Sequence, residues 1–136
     1  MMPDPPNCKT ILCIDDDHGV LEYQKALLER RGYAVLTASS ARQGLQIAAD
    51  SGVAAVIVDY HMPEINGHEV ALEIKRLNPD TPVVMLSSDE EIPSHVLDVV
   101  DAFVPKDQAP TRLVPVLSRI CEEVLAKIAE RAGLSA

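Results

Sequence analysis

Basic charge is scarce in this sequence. Twelve Lys and Arg stand against twenty-one Asp and Glu, a net charge of −9, and no block of basic residues occurs that could track a phosphate backbone. Direct nucleic-acid binding is therefore not expected. Long hydrophobic runs are absent too: no apolar stretch approaches the ~20 residues that span a bilayer, and Met1 to Lys9 is polar and proline-containing instead of an apolar signal segment. A soluble, cytoplasmic protein with no membrane insertion is the expectation. The three cysteines, Cys8, Cys13 and Cys121, form neither an even disulfide set nor a CxxC pair, and Cys13 lies inside an apolar run, so reduced structural thiols are expected. There is no internal repeat, low-complexity tract or second-domain linker.

What is present is a hydrophobic content of 47% in 136 residues, enough for one compact domain with a real core. Short runs rich in Val, Ile and Leu (Thr10 to Ile14, Ala34 to Ala38, Ala54 to Val58, Pro82 to Leu86, Ala102 to Val104) read as strands buried on both faces. Between them Val20, Tyr23 and Leu27, then Leu45, Ala48 and Ala49, then Val70, Ile74 and Leu77 recur at helical spacing and predict amphipathic helices. A last helix is predicted from about Thr111 to Ala132, with its regular part starting late because of Pro115. Strict alternation with short connections predicts an α/β fold: a doubly wound, five-stranded parallel sheet with helices on both faces.

In such a sheet ligands bind beyond the carboxyl ends of the strands. Here those positions hold Asp15-Asp16-Asp17, Asp59, Ser87-Ser88 and Lys106. Clustered carboxylates repel one another and would raise each other's pKa unless a cation neutralised them, and hard oxygen ligands suit Mg2+. A carboxylate in that setting can attack phosphorus to give an acyl phosphate, with Lys106 offsetting charge on the phosphoryl oxygens and Ser87 donating a hydrogen bond. Taken alone, Asp15 and Asp16 would serve equally well as helix caps, a role open to Asp17 as well, and Phe103 would serve as a plain core residue.

The stretch Ile11-Leu12-Cys13-Ile14-Asp15-Asp16-Asp17, followed by Val56-Ile57-Val58-Asp59-Tyr60-His61-Met62-Pro63-Glu64-Ile65-Asn66-Gly67, resembles the receiver domains of two-component response regulators. Val83-Val84-Met85-Leu86-Ser87-Ser88 and Ala102-Phe103-Val104-Pro105-Lys106 extend the resemblance over residues 9 to 125. It implies the flavodoxin-like receiver fold, with residues 1–9 a flexible N-terminal segment, 10–132 the receiver domain and 133–136 a tail. It also implies that Asp59 accepts a phosphoryl group from the phosphohistidine of a sensor histidine kinase or a phosphotransfer protein. Asp15, Asp16, Asp59 and the backbone carbonyl of His61 would hold Mg2+, Ser87 and Lys106 would bind the phosphoryl oxygens, and Phe103 would be the aromatic whose rotamer follows phosphorylation. His61 and Asp89 occupy the positions that tune the phosphate lifetime in the family.

Three features depart from that pattern. Asp107 stands where the family has proline after the lysine, which makes a cis peptide there improbable; the Ser87 to Lys106 segment is short and holds Pro93, so its helix should be short or displaced; and Ser87 replaces threonine. Two other classes compare poorly. A dehalogenase-type phosphohydrolase would need a second aspartate where His61 stands, and a flavin or nucleotide module would need a glycine-rich or hydroxyl-rich loop where the sequence has Asp15-Asp16-Asp17-His18. A receiver fold that signals without phosphorylation is the other alternative. The expectation is a stand-alone switch without an output domain, not a metabolic enzyme, acting on a downstream protein. The stripe Leu113, Leu117, Ile120, Val124 and Ile128 runs past what a small sheet covers, and its distal turns are expected to meet a partner or a second copy in a homodimer.

Overall fold

The computed structural model describes residues 10–88 and 92–133; the N-terminal segment, Asp89 and most of the tail lie outside them. Five strands, β1 (Thr10–Ile14), β2 (Ala34–Ala38), β3 (Ala55–Asp59), β4 (Val83–Ser87) and β5 (Ala102–Pro105), form one parallel sheet in the order β2-β1-β3-β4-β5. They alternate with α1 (His18–Glu29), α2 (Ala41–Asp50), α3 (Gly67–Leu77), α4 (Ser94–Leu97) and α5 (Ala109–Arg131), with a 3-10 turn at Lys106–Gln108 before the last helix.

The pleat sorts each strand's side chains into two cores. Ile11, Cys13, Ala55, Ile57, Val84, Leu86 and Val104 meet Leu21 and Leu28 of α1 and Leu113, Val116, Leu117 and Ile120 of α5. Leu12, Ile14, Val56, Val58, Val83 and Met85 meet Ala41 of α2, Val70, Ala71 and Ile74 of α3, and Val96 of α4. Both faces are thus covered, as predicted for a parallel sheet. β2 is the exception: as an edge strand it alternates exposed and half-buried residues up to the buried Ala38.

Three helix readings are corrected. On α1 the buried residues are Leu21, Gln24 and Leu28, whereas Tyr23 is 46% exposed, so the packed stripe lies one position on from Val20, Tyr23 and Leu27. Both sets have helical spacing, and contact with the sheet selects the one that carries two leucines. On α2 the buried positions are Ala41 and Gly44, with Leu45 and Ala48 only partly covered and Ala49 exposed. A Cβ at Gly44 would lie 2.4 Å from Ile14 Cδ1, so close helix–sheet approach, not a large apolar face, fixes this helix. On α3, Leu77 is exposed beyond Ile74.

α5 begins at Ala109 and runs unbroken through Pro115. Proline removes one intrahelical hydrogen bond, but Pro115 lies on the exposed side, where water can take the Thr111 carbonyl, while Ala109, Leu113 and Leu117 on the other side are buried. Packing therefore outweighs the break. Burial ends at Cys121; Val124 is half-covered and Ile128 is 45% exposed. Arg131 at the far end reaches both carboxylate oxygens of Asp80, at 2.8 and 3.1 Å.

The α1 assignment predicts that Leu21→Ala lowers unfolding free energy by about 2–4 kcal/mol while Tyr23→Ala costs at most about 1 kcal/mol, measured by urea denaturation. Equal losses would place the packed stripe where the sequence periodicity alone put it.

Candidate functional site

The sheet order makes β1 and β3 neighbours while the chain leaves β1 toward β2, so the reversal of direction opens a crevice beyond their carboxyl ends. Asp15 follows β1 directly and Asp59 ends β3. Asp15 continues the parity of Ile11 and Cys13, Asp59 that of Ala55 and Ile57, and Lys106 that of Val104, so all three belong to the same side of the sheet. Lys106 Nζ lies 3.3 Å from Asp15 Oδ2 and 3.2 Å from Asp59 Oδ2. Asp107 thus does not misdirect the lysine. The peptide between them is trans, and the 3-10 turn that begins at Lys106 carries the ammonium to the carboxylates.

Asp17, not Asp15 or Asp16, caps α1: its carboxylate accepts from the Gly19 and Val20 N–H groups at 2.8 and 3.3 Å. The N–H of Asp17 in turn donates to Asp15 Oδ1 at 2.9 Å, which orients that carboxylate. Asp15, Asp16 and Asp59 each offer an oxygen, all within 4.8 Å of one another, with Asp15 and Asp59 buried and Asp16 exposed.

Burial raises the pKa of Asp15, opposed by the Asp17 N–H and by Lys106 and assisted by the charge of Asp16. Burial likewise raises Asp59, with the charge of Asp15 adding to it, against Lys106 and a hydrogen bond from the His61 N–H. For Lys106 burial pulls downward, but the two carboxylate charges outweigh it and its pKa ends raised. One ammonium therefore does not balance the pocket. Asp15 Oδ2 is buried with no hydrogen bond, its contact with Lys106 being purely ionic. An orphaned hard oxygen beside two more carboxylates, one open to water, fits a divalent ion such as Mg2+, which keeps several waters.

Ser87 is fully buried at the end of β4, one residue beyond Leu86, the register partner of Asp59. Phe103 of β5 is half-buried against the α2–α3–α4 core. His61 sits exposed in the loop after Asp59, its ring 4.8 Å from that of Tyr60. The loop is tightly tied: Tyr60 N–H donates to the Leu86 carbonyl at 2.8 Å, and Gly67 N–H to the Tyr60 carbonyl at 2.9 Å. Glu64 takes the left-handed conformation at φ 68°. At Gly67 a Cβ would lie 2.4 Å from the Asp59 carbonyl oxygen and 2.8 Å from Tyr60 Cα. Sequence reasoning placed Gly67 in a loop motif but missed this contact, which sets the end of β3 against α3.

The fold and the pocket together define a doubly wound α/β protein with an acidic, cation-competent crevice and a lysine at its switch point. The model of the response regulator receiver domain family matches residues 11–118, and the chain belongs to that family. It is 32% identical over 113 residues to the response regulator MprA of Mycolicibacterium vanbaalenii, covering 81% of this chain and 48% of that protein. It is 36% identical over 86 residues to the transcriptional regulatory protein GlrR of Escherichia coli, covering 63% of this chain and 19% of that one. The chain thus spans between a fifth and a half of these curated relatives. Among solved structures, a CheY-like receiver domain protein of Methanospirillum hungatei superposes with a TM-score of 0.83 at 26% identity, covering 88% of this chain and 98% of that one. The response regulator TrrA of Thermotoga maritima, solved with Mg2+ and a beryllium fluoride, gives 0.78 at 28%, covering 82% and 98%.

Two outcomes follow. Asp59→Asn removes one desolvated charge, so in chelator it raises Tm, and it cuts the Mg2+-dependent stabilisation, which for the wild type is about 2.7 kcal/mol at a hundredfold excess over Kd. Calorimetry checks both signs. Gly67→Ala costs about 1–3 kcal/mol, because the new methyl meets backbone that cannot swing aside, and denaturant unfolding measures it.

Proposed function

We propose that Asp59 is the phospho-acceptor of this receiver domain, and that Asp15 and Asp16, with Asp59 and the backbone carbonyl of His61, hold the Mg2+ that the transfer needs. The observation that carries this reading is the convergence of Asp15, Asp59 and Lys106 within 3.3 Å contacts at one sheet edge. A carboxylate oxygen of Asp59 attacks phosphorus while the bond from phosphorus to the donor's imidazole nitrogen breaks, and the imidazole leaves with its electron pair and takes up a proton from solvent. Bound Mg2+ supplies charge neutralisation for the phosphoryl oxygens. Lys106 is already next to the attacking carboxylate and needs only to transfer its contact from that carboxylate to a phosphoryl oxygen, and the Ser87 hydroxyl offers that oxygen a hydrogen bond.

The donor is a sensor histidine kinase or a phosphotransfer protein, and the readout is a changed surface on the α4–β5 side, where Phe103 is half-buried. Slow hydrolysis of the acyl phosphate resets the switch. Residues 10–132 form the switching unit; it acts by itself on a downstream protein in the cytoplasm, and among the described residues no helix is long and apolar enough to cross a membrane. The curated relatives are longer than this chain, so the proposed activity is that of the receiver unit. A homodimer through the distal turns of α5 is a further version; an unchanged monomer in light scattering with and without beryllofluoride would remove it.

Intact mass after incubation with Mg2+ and acetyl phosphate tests the acceptor. One added phosphoryl group is expected in the wild type and none in Asp59→Asn or with chelator; Lys106→Ala still takes up the group but loses the accompanying conformational change. Wild-type labelling of the asparagine variant would refute the assignment, and failure of both phosphorylation and beryllofluoride binding would favour a receiver that signals without phosphate.

A further inference from the structure

Outside the acidic pocket two histidines face each other. The rings of His68 and His95 have centroids 5.3 Å apart and planes at 77°. Each is the second residue of its helix, His68 on α3 and His95 on α4, and His68 is half-buried while His95 is exposed. A tetrahedral ion about 2.0–2.1 Å from one nitrogen of each ring would hold the two centroids roughly 5 Å apart. The centroid spacing across this helix pair matches that distance, which is also a spacing of edge-to-face ring packing.

The elements they join give the pair a purpose. α4 is a single turn with only Val96 buried and no side-chain cap, far below the length at which a helix holds itself together. α3 begins where the loop from Asp59 ends, and α4 follows the segment that leaves Ser87. A link between His68 and His95 thus fastens together the two segments that depart from the acidic pocket.

We propose that His68 and His95 form a two-imidazole site for a borderline divalent transition-metal ion, Zn2+ or Ni2+, with water completing its coordination, and that occupation pins α4 to α3. Among the described residues the one set of three or more metal-competent side chains is Asp15, Asp16 and Asp59, so no further protein ligand is assigned. The two sites differ in chemistry: imidazole favours zinc, copper and nickel, whereas the carboxylate pocket favours Mg2+. The site itself does not depend on Asp59 being phosphorylated.

The test is a calorimetric titration of Ni2+ into the full chain with Mg2+ in large excess, using wild type, His68→Ala, His95→Ala, the double variant and Asp59→Asn. One equivalent is expected in the wild type and unchanged in Asp59→Asn. Either histidine substitution should weaken it at least about tenfold, the low end of what even an outer-shell loss costs, and the double variant should bind no more tightly than the weaker single. Ni2+ should also raise Tm in the wild type and not in His95→Ala. Absence of wild-type binding would overturn the proposal and leave the pair as ring packing. An unchanged isotherm in the double variant would overturn it too, moving the ion to His61 and the acidic pocket.

Discussion

Two carboxylates buried side by side with one ammonium between them govern this structure. At an effective dielectric of about 20, two unit charges 4 Å apart interact by about 4 kcal/mol, so the Lys106 contacts with Asp15 and Asp59 and the repulsion between the acids are of similar size. Two carboxylates against one ammonium already leave the pocket net negative, Asp16 deepens the excess, and the pKa values of both buried carboxylates are raised. Such a pocket is under-neutralised by design of its residue set. Its residue set suits a cation, which would offset the excess negative charge. The rest of the fold serves to bring three strand ends to this point: the sheet order makes β1 and β3 adjacent, and the pleat gives Asp15, Asp59 and Lys106 the same facing.

The walls of the pocket are not equally firm. β1, β3 and β4 are buried almost end to end, and Gly67 locks β3 to α3 by a contact that leaves no room for a methyl group. On the other side α4 is one turn, and β5 is an edge strand with Val104 its one fully buried residue. Segments with few buried apolar contacts are the first to move. The pocket thus has a rigid support on one side and a compliant one on the other, and α4 and β5 are the compliant side. The Lys75 ammonium marks where compliance stops: it binds the Thr81 carbonyl at 2.9 Å and Asp101 at 2.6 Å, and Asp101 also accepts from the Val83 N–H at 2.7 Å, fixing the turn into β5.

Much of this was legible in the sequence because parallel strands buried on two faces leave uninterrupted Val, Ile and Leu runs, and the polar residues that end those runs are the site. The β1 and β2 boundaries agreed to the residue, β3 and β4 begin and end one residue later than expected, and β5 extends one residue further, so that Asp59 and Ser87 close their strands instead of following them. The short fourth helix was readable from chain length. Periodicity could not choose between neighbouring stripes on α1, since Val20, Tyr23 and Leu27 fit a helix as well as Leu21, Gln24 and Leu28 do; only contact with the sheet decides. Nor could it foresee a helix passing through Pro115, because the outcome turns on whether the freed carbonyl faces water. The His68–His95 contact carried no signal at all, being a meeting of two helix starts far apart in the chain.

Asp15, Asp16, Asp59 and Lys106 are the residues on which the resemblance to the receiver family rests, and membership of a family does not by itself name a partner. Specificity is a difference of affinities and has to lie on surface that varies. The family match ends at residue 118, yet α5 continues to Arg131, with burial fading after Cys121 and Val124 and Ile128 carrying the apolar stripe onward. The ion pair of Arg131 with Asp80 is exposed and screened by solvent, so it is a weak tether. The distal helix is thus attached to the sheet by its first half and only loosely beyond it. Its last turns combine an incompletely covered apolar stripe with a weak tether, so the sheet holds them far less firmly than it holds the half from Ala109 to Cys121.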